Sequence, residues 1–211
     1  MMIWLVRYYG SSKVETVRLG GTFTVVQAPK KGPTLEAFLA LPETKPASEY
    51  TNGSISQKPM PQGKHSALQQ DLANIINTSV RSKKIARAFP ELRCSFAPNS
   101  VVPDIAVLLW EHIPRDDNGE IANVVSLAPD WTIEILSPGQ SSAKVIKKIL
   151  SCLRHGAQMG WLINPKDKSV FVYCPQQEIE VLDEPENVLP MPAFMSELTL
   201  TVKDLFELLL E

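Results

Sequence analysis

The chain has 211 residues, of which 44% are hydrophobic and 21% are charged, and its formal net charge is −2. This length fits one ordinary domain better than two, and the composition excludes an intrinsically disordered chain. The small negative charge excludes a general attraction to phosphate backbones, so any nucleic-acid contact has to come from a local surface. No stretch approaches the roughly 20 apolar residues of a membrane-spanning helix, and the start of the chain lacks the basic region of a secretory signal. We therefore expect a cytoplasmic protein with no membrane segment.

The beginning of the chain predicts a small β extension. Three short strands are indicated, at Ile3 to Tyr9, Lys13 to Arg18 and Thr22 to Gln27. The breaker cluster Pro29 to Pro33 separates them from Thr34, which is expected to cap a short helix that ends near Pro42. We therefore predict an N-terminal β extension over residues 1–33 and a main domain over residues 34–211.

Helical and strand patterns alternate in the main domain. Asn52-Gly53 predicts a tight hairpin within Glu49 to Gln57, because both turn positions tolerate positive φ. Helices are predicted at Ser66 to Val80, Ser141 to Arg154 and Val202 to Leu210. Further strands are predicted at Leu92 to Phe96, Val101 to Trp110, Trp131 to Leu136, Trp161 to Ile163, Val170 to Tyr173 and Ile179 to Leu182. This order predicts a mixed central sheet with helices on its faces.

Two acidic residues interrupt apolar strand patterns. Asp104 lies in Val-Val-Pro-Asp-Ile-Ala-Val and Glu134 in Trp-Thr-Ile-Glu-Ile-Leu. Burying an unpaired carboxylate costs several kcal/mol, so a bound divalent cation is one explanation for both acids. Carboxylate oxygens suit Mg²⁺ or Mn²⁺. The alternative is that each strand is half-exposed and each carboxylate faces water.

Basic residues follow both acids along the chain. Lys144 and Lys148 lie four residues apart on the second long helix, so one ammonium could reach back over the strand ends, although a solvated basic face is an equal alternative. His65 opens the first long helix, and Arg81, Lys83 and Lys84 follow that helix. All four are candidates for nucleic-acid contact, and solvent exposure is the competing explanation.

The order of these segments resembles a known family. Pro103-Asp104, the run Ile133 to Pro138, a lysine-bearing helix and the run Gly160 to Pro165 are similar to the Uma-type restriction endonucleases, which are abundant in cyanobacteria and belong to the PD-(D/E)XK nuclease superfamily. The resemblance runs from Thr34 to Leu210. It implies a restriction-endonuclease-like α/β fold in which Asp104, Glu134 and the backbone carbonyl of Ile135 bind Mg²⁺, with Glu49 as an additional acid.

The sequence departs from the nuclease signature at one position. Leu136 stands where the signature has a lysine two residues after the glutamate, so the resemblance implies that the following helix supplies the basic group. Spacing favours Lys148, and Lys144 stays an alternative.

The expected function is Mg²⁺-dependent hydrolysis of phosphodiester bonds in DNA. A nuclease-fold binding or interaction module without turnover is the alternative, and a glycosidase with paired carboxylates is the weakest reading. Because the cutting of two strands calls for two sites, we also expect a homodimer.

Overall fold

The computed structural model describes residues 32–210 in full and, before them, the backbone of the strands β1 (Trp4–Tyr9), β2 (Ser12–Leu19) and β3 (Thr22–Gln27). The chain divides into two compact units, Met1–Pro33 and Thr34–Glu211. In the first unit the strands form an antiparallel sheet in the order β1-β2-β3. They agree with the three predicted strands, apart from Ile3, which lies outside the described residues together with positions 29–31 of the breaker cluster.

The second unit contains the helices that carry or support the candidate site. The described helices are α1 (Leu35–Leu39), α2 (Gly63–Val80), α3 (Ser142–Arg154) and α4 (Val202–Glu207). The Thr34 side chain caps α1 by accepting a hydrogen bond from the backbone N of Ala37, at 3.2 Å. None of the helices within the described ranges is long and apolar enough to cross a membrane.

The strands of the second unit build two sheets. They are β4 (Ser48–Thr51), β5 (Ser54–Gln57), β6 (Ala86–Pro90), β7 (Cys94–Phe96), β8 (Asn99–Val101), β9 (Ile105–Leu109), β10 (Trp131–Ile135), β11 (Met159–Asn164), β12 (Ser169–Tyr173) and β13 (Glu180–Leu182). The central sheet has the order β13-β12-β11-β10-β9-β6 and pairs β10 with β11 in parallel, while its other neighbours are antiparallel. The small sheet has the order β5-β4-β8-β7. The predicted mixed sheet with flanking helices is confirmed.

The two faces of the central sheet pack against different elements because side chains alternate along each strand. One face, which includes Ile105, Ile133 and Trp161, forms a core with α2 and α4. On the opposite face Leu162 packs against α3, and Ala106 packs against the small sheet. Glu134 follows Ile133 and therefore points to the face that α3 covers.

Residues 86–110 differ from the sequence prediction. Strand β6 was not predicted, since it directly follows a run of basic residues that reads as a loop. The single strand predicted over Val101 to Trp110 is wrong: Pro103 and Asp104 separate β8 from β9. Proline has no N–H to donate to a sheet, so pairing stops there. Asp104 therefore directly precedes β9 and does not lie inside a strand.

Candidate active site

The two acids that the sequence singles out lie at neighbouring strand ends. Ile133 of β10 pairs with Ile105 of β9, so Glu134 and Asp104 occupy adjacent positions just beyond that pair. The Asp104 carboxylate also takes the place of a strand partner, because its Oδ2 accepts a hydrogen bond from the backbone N of Ile135 at 2.7 Å. Both side chains are buried. The fold thus holds two carboxylates side by side at one end of the central sheet.

A lysine from outside the central sheet reaches the Asp104 carboxylate. The Nζ of Lys58, which follows β5, lies 2.5 Å from Asp104 Oδ1 and donates to the carbonyl oxygen of Val102 at 3.0 Å. The Lys58 side chain is itself buried, with 7% exposed. A buried ion pair with a second hydrogen bond is a fixed contact, whereas an exposed pair of flexible side chains is not.

Helix α2 holds Asp104 from the opposite side. His65 Nε2 lies 3.3 Å from Asp104 Oδ1, and His65 Nδ1 lies 3.2 Å from the Ser137 hydroxyl. One turn further along α2, the Gln69 amide donates to the backbone carbonyl of Asp104 at 2.8 Å. Side chain and backbone of Asp104 are therefore both positioned by residues four apart on one helix.

These contacts decide the charge of Asp104. Burial by itself raises the pKa of the carboxyl, but the hydrogen bond from His65 and the positive charges of Lys58 and Lys148 outweigh burial and hold the pKa well below its ordinary range. Asp104 is consequently a carboxylate at all physiological pH values.

Lys148 joins three elements around the second acid. Its Nζ lies 2.7 Å from Glu134 Oε2 on β10 and 2.9 Å from Glu49 Oε1 on β4. The same Glu49 oxygen accepts a hydrogen bond from the backbone N of Val102 at 2.8 Å. Lys148 is only 6% exposed although it belongs to the polar part of an amphipathic helix. One ammonium therefore connects α3, the central sheet and the hairpin.

The charges of this pair are set by burial and by the neighbouring acids. Burial raises the pKa of Glu134 to about 8; Asp104 and Glu49 act in the same direction, and Lys148 offsets part of the effect. Burial lowers the pKa of Lys148, but the charges of Glu134, Glu49 and Asp104 outweigh burial, and its net pKa is raised. Lys148 is thus a permanent cation. Without a further cation in the site, the pKa of Glu134 stays raised, because Lys148 offsets only part of the effect of burial.

The donor set fits a divalent cation of the magnesium type. Within residues 32–210 the acidic, histidine and cysteine side chains form no group of three that could hold a metal ion. Mg²⁺ does not require one, because it binds through one or two protein carboxylates and takes water and substrate oxygens as its other ligands. Glu134 Oε1 is buried and has no hydrogen-bond partner among the described residues. An added cation would satisfy this oxygen and favour the charged form of Glu134.

The structure brings together some of the predicted site residues and not others. Asp104, Glu134, Glu49 and Lys148 share one buried cluster, and the backbone N of Ile135 belongs to it. His65, expected to contact phosphate or solvent, is buried against Asp104 instead. Lys144 does not join the cluster, since its side chain is exposed one turn before Lys148.

The predicted basic contacts lie at the other end of α2. Arg81, Lys83 and Lys84 follow the C-terminal end of the helix and are exposed. Because His65 stands sixteen residues before Arg81, the two are separated by about 24 Å along the helix axis. These basic residues cannot contact the same phosphate as the carboxylates.

Three further residues of the cluster were missed by sequence reasoning. Gln69 and Ser137 had a usable signal, because Gln69 occupies a buried position on α2 and Ser137 follows the end of β10 by two residues. Lys58 had none, since a lysine after a hairpin is most often solvated. Only the tertiary fold places Lys58 beside Asp104.

The chain is similar to known proteins. The Uma2 family model, described as "Putative restriction endonuclease", matches residues 35–203. A solved structure from Anabaena variabilis ATCC 29413, described as a putative nuclease belonging to DUF820, is similar with a TM-score of 0.83 and 62% sequence identity, over 84% of this chain and 99% of that chain. No curated protein matches the chain. The predicted restriction-endonuclease-like fold is confirmed, and the chain belongs to the Uma2 family of putative restriction endonucleases.

Proposed function

We propose that this protein is a magnesium-dependent endonuclease that hydrolyses phosphodiester bonds of DNA. The observation that supports the proposal best is the meeting of Asp104, Glu134 and the cation of Lys148 in one buried cluster at the ends of β9 and β10. Two adjacent carboxylates and a permanent cation are the parts that metal-assisted phosphate hydrolysis requires.

In this proposal Asp104 and Glu134 hold Mg²⁺ or Mn²⁺, with the backbone carbonyl of Ile135 as a further ligand. When bound, the ion supplies an activated water at neutral pH and neutralises charge on the phosphate. Asp104 is prepared for this role because it stays ionised, while Glu134 contributes the buried oxygen that lacks a partner. Lys58 and His65 fix the orientation of the Asp104 carboxylate.

Lys148 acts as a fixed positive charge and not as a base. Its raised pKa keeps the ammonium protonated, so it does not accept the proton of the attacking water. It is suited to stabilise the negative charge that develops on the phosphate oxygens, an interaction that typically contributes about 3–4 kcal/mol in a site without water. Glu49 supports this role by holding the ammonium from the hairpin side.

Cleavage of both strands of a duplex would require two copies of this site. A homodimer would supply the two sites. Its two-fold axis would relate them in the same way as it relates the two antiparallel strands of the duplex. Sedimentation of the protein with and without a DNA duplex tests this part separately from the chemistry.

Plasmid nicking tests the catalytic proposal directly. Supercoiled DNA is incubated with the protein and Mn²⁺, and nicked and linear products are quantified for the native chain, Asp104→Asn and Glu134→Gln. We expect cleavage by the native chain, a loss of at least 10²-fold in each variant, and no cleavage with EDTA. Equal nicking by the native chain and Asp104→Asn would reject the assignment.

Calorimetric titration with Mn²⁺ separates the proposed enzyme from a nuclease-fold binding module. The proposal requires that the native chain binds the ion and that Glu134→Gln binds it more weakly. A protein that binds DNA but neither binds Mn²⁺ nor cleaves would establish the binding module instead.

A further inference from the structure

The exposed side of α2 carries an uncharged polar stripe that leads away from the candidate site. Ser66, Gln70, Asn74 and Thr78 are all exposed and follow one another at intervals of four residues, which places them in one line along the helix. The four stripe residues are uncharged, and the stripe begins next to His65; Asp71, the one acidic residue of α2, lies partly buried beside it. The four side chains can donate hydrogen bonds to an anion.

Two adjoining concavities follow this stripe. The first has a volume of about 300 Å³, and Ser66, Gln70 and Asn74 are among its lining residues. The second has a volume of about 660 Å³, shares Asn74 with the first and is also lined by Arg81. Both concavities therefore lie along α2, and Asn74 and Asn77 line both of them.

The second concavity borders a cluster of cations, the basic surface, formed by Arg81, Lys84, Arg87 and Arg115. None of the four pairs with an acidic side chain in the described part of the chain, whereas Lys83 is excluded because it pairs with Glu197. Burial lowers the pKa of Arg87, and the charges of Arg81 and Arg115 lower it further. These cations therefore repel one another and lack internal counter-charges.

The scaffold holds the basic surface in place. The Asn77 side chain donates to the carbonyl of Ala88 at 3.0 Å and accepts from its N–H at 2.9 Å, which ties α2 to the edge strand β6 beside Arg87. The Arg115 guanidinium lies 5.3 Å from the ring centre of Trp110, which also lines the larger concavity. Arg87 therefore lies on a strand that is tied to α2, and Arg115 packs on Trp110, while Arg81 and Lys84 lie in the turn that follows α2.

The geometry points to a phosphate-binding track: the α2 stripe and the basic surface bind the backbone of a DNA duplex whose scissile phosphate lies at Asp104 and Glu134. This inference rests on the proposed function. The distance of about 24 Å between His65 and Arg81 corresponds to about seven base pairs of duplex.

The chemistry of the track fits a sugar-phosphate backbone. Serine, threonine, asparagine and glutamine side chains contact phosphate oxygens alongside arginine and lysine, and such contacts carry no base sequence. With a net charge of −2 the protein has no overall attraction for DNA, so the track has to supply it locally. Binding should therefore depend on duplex length and on salt, and not on sequence.

Fluorescence anisotropy in EDTA, without cleavage, tests the track. The probes are labelled DNA hairpins with duplex stems of about 4 and 24 base pairs, of which only the longer exceeds the seven pairs that the track spans. The test variant is Arg81→Glu with Lys84→Glu, and the matched control is Lys166→Glu with Lys168→Glu in the β11–β12 turn. The pairs are equal in charge change, and Lys84 and Lys168 share a positive φ of 53° and 50°.

We expect the test variant to bind the long duplex at least tenfold more weakly, with a salt slope smaller by about 2 for two lost phosphate contacts. The control should change affinity less than twofold, and the short duplex should respond little to either pair. An equal loss in both pairs, or no loss in the test variant, would overturn the track. Preference for single-stranded RNA over the long duplex would also overturn it. Because cleavage is not measured, the absence of nicking by the native chain would reject the proposed function without changing this binding result.

Discussion

At the scale of single residues, the site is organised by lysines that lie within hydrogen-bond reach of carboxylates. Lys58 forms an ion pair with Asp104, and Lys148 forms ion pairs with both Glu134 and Glu49. Breaking such a buried pair by removing one partner typically costs about 3–5 kcal/mol, because the remaining charge is left uncompensated. The lysines are thus part of the fold as well as of the proposed chemistry.

Single substitutions at Lys148 and at Lys144 test which of the two lysines catalysis requires. Lys148→Met removes the only ammonium that contacts Glu134 within residues 32–210, so we expect plasmid nicking to fall about 10²–10³-fold. Lys144→Met changes an exposed side chain and should keep nearly full activity. Circular dichroism of both variants checks that the loss is not one of folding. Comparable losses in both would contradict the assignment.

Glu134 makes the stability of the cation-free protein depend on pH. Its pKa is about 8 in the folded state and near 4.5 when unfolded, so between these values the folded protein keeps a proton that the unfolded chain releases. The free energy of unfolding should therefore decrease as pH rises through this window. Asp104 has a lowered pKa and contributes in a different window, where stability is lost on acidification below its unfolded pKa.

Urea unfolding in EDTA between pH 5 and 8.5 measures this contribution. The native chain should lose roughly 1–4 kcal/mol more than Glu134→Gln across the window. Glu178→Gln, on an exposed glutamate, serves as the control and should follow the native curve. Parallel curves for the native chain and Glu134→Gln would show that Glu134 is ionised throughout.

A residue of the site could be predicted where it departed from the hydrophobic pattern of the residues around it. Asp104 and Glu134 are acids within apolar runs, so the sequence singled them out, although it left open whether they are buried or face water. Lys148 needed the resemblance to a family to be preferred over Lys144. Lys58 breaks no pattern, because its burial arises from the way the hairpin folds over the end of β9, and no local rule contains that contact.

At the scale of secondary-structure elements, the packing of α3 on β11 positions Lys148. A Cβ atom on Gly160 would overlap Ile149 Cγ2 and lie 3.2 Å from Thr132 Cγ2. Ile149 is buried, β-branched and directly follows Lys148, so it has little freedom to turn away. The glycine therefore permits the close approach that brings Lys148 to Glu134.

Gly160→Ala should push α3 away from the sheet. We expect a loss of about 1–3 kcal/mol in the free energy of unfolding and reduced nicking per folded molecule. Gly63→Ala is the matched control, because its added Cβ meets nothing within 4 Å at the start of α2. Unfolding in urea and the nicking assay measure both effects. Unchanged stability in Gly160→Ala would show that α3 adjusts without moving its lysine.

Elements with a specific local signal were predicted whatever their length, whereas β6, which lacks such a signal, was missed. The hairpin was predicted from Asn52-Gly53, whose φ values of 48° and 85° are those that this turn demands. Strand β6 was missed because its pairing with β9 and the two hydrogen bonds from Asn77 define it. Tertiary contacts of that kind have no counterpart in a window of sequence.

At the scale of the whole molecule, the main domain holds all the residues of the site. Its candidate site lies at one end of α2, where the carboxylates are paired with Lys58 and Lys148, and its unpaired cations lie at the other end. Because the charged groups lie in separate local clusters, the net charge of the whole chain does not indicate its function. Both proposals also require that α2 keeps its position in the fold.

Residues 34–211 alone should therefore fold and retain the cation site. Every contact of Asp104, Glu134 and Lys148 described above comes from this unit, which also contains the family match at residues 35–203. A ligand that binds only the folded state raises the unfolding temperature. Mn²⁺ should therefore raise the midpoint temperature of unfolding equally for the fragment and for the full chain. Differential scanning calorimetry with Mn²⁺ and with EDTA measures both shifts, and Asp104→Asn in the fragment should abolish its shift. A fragment that unfolds cooperatively but gains nothing from Mn²⁺, while the full chain does, would mean that residues 1–33 complete the site.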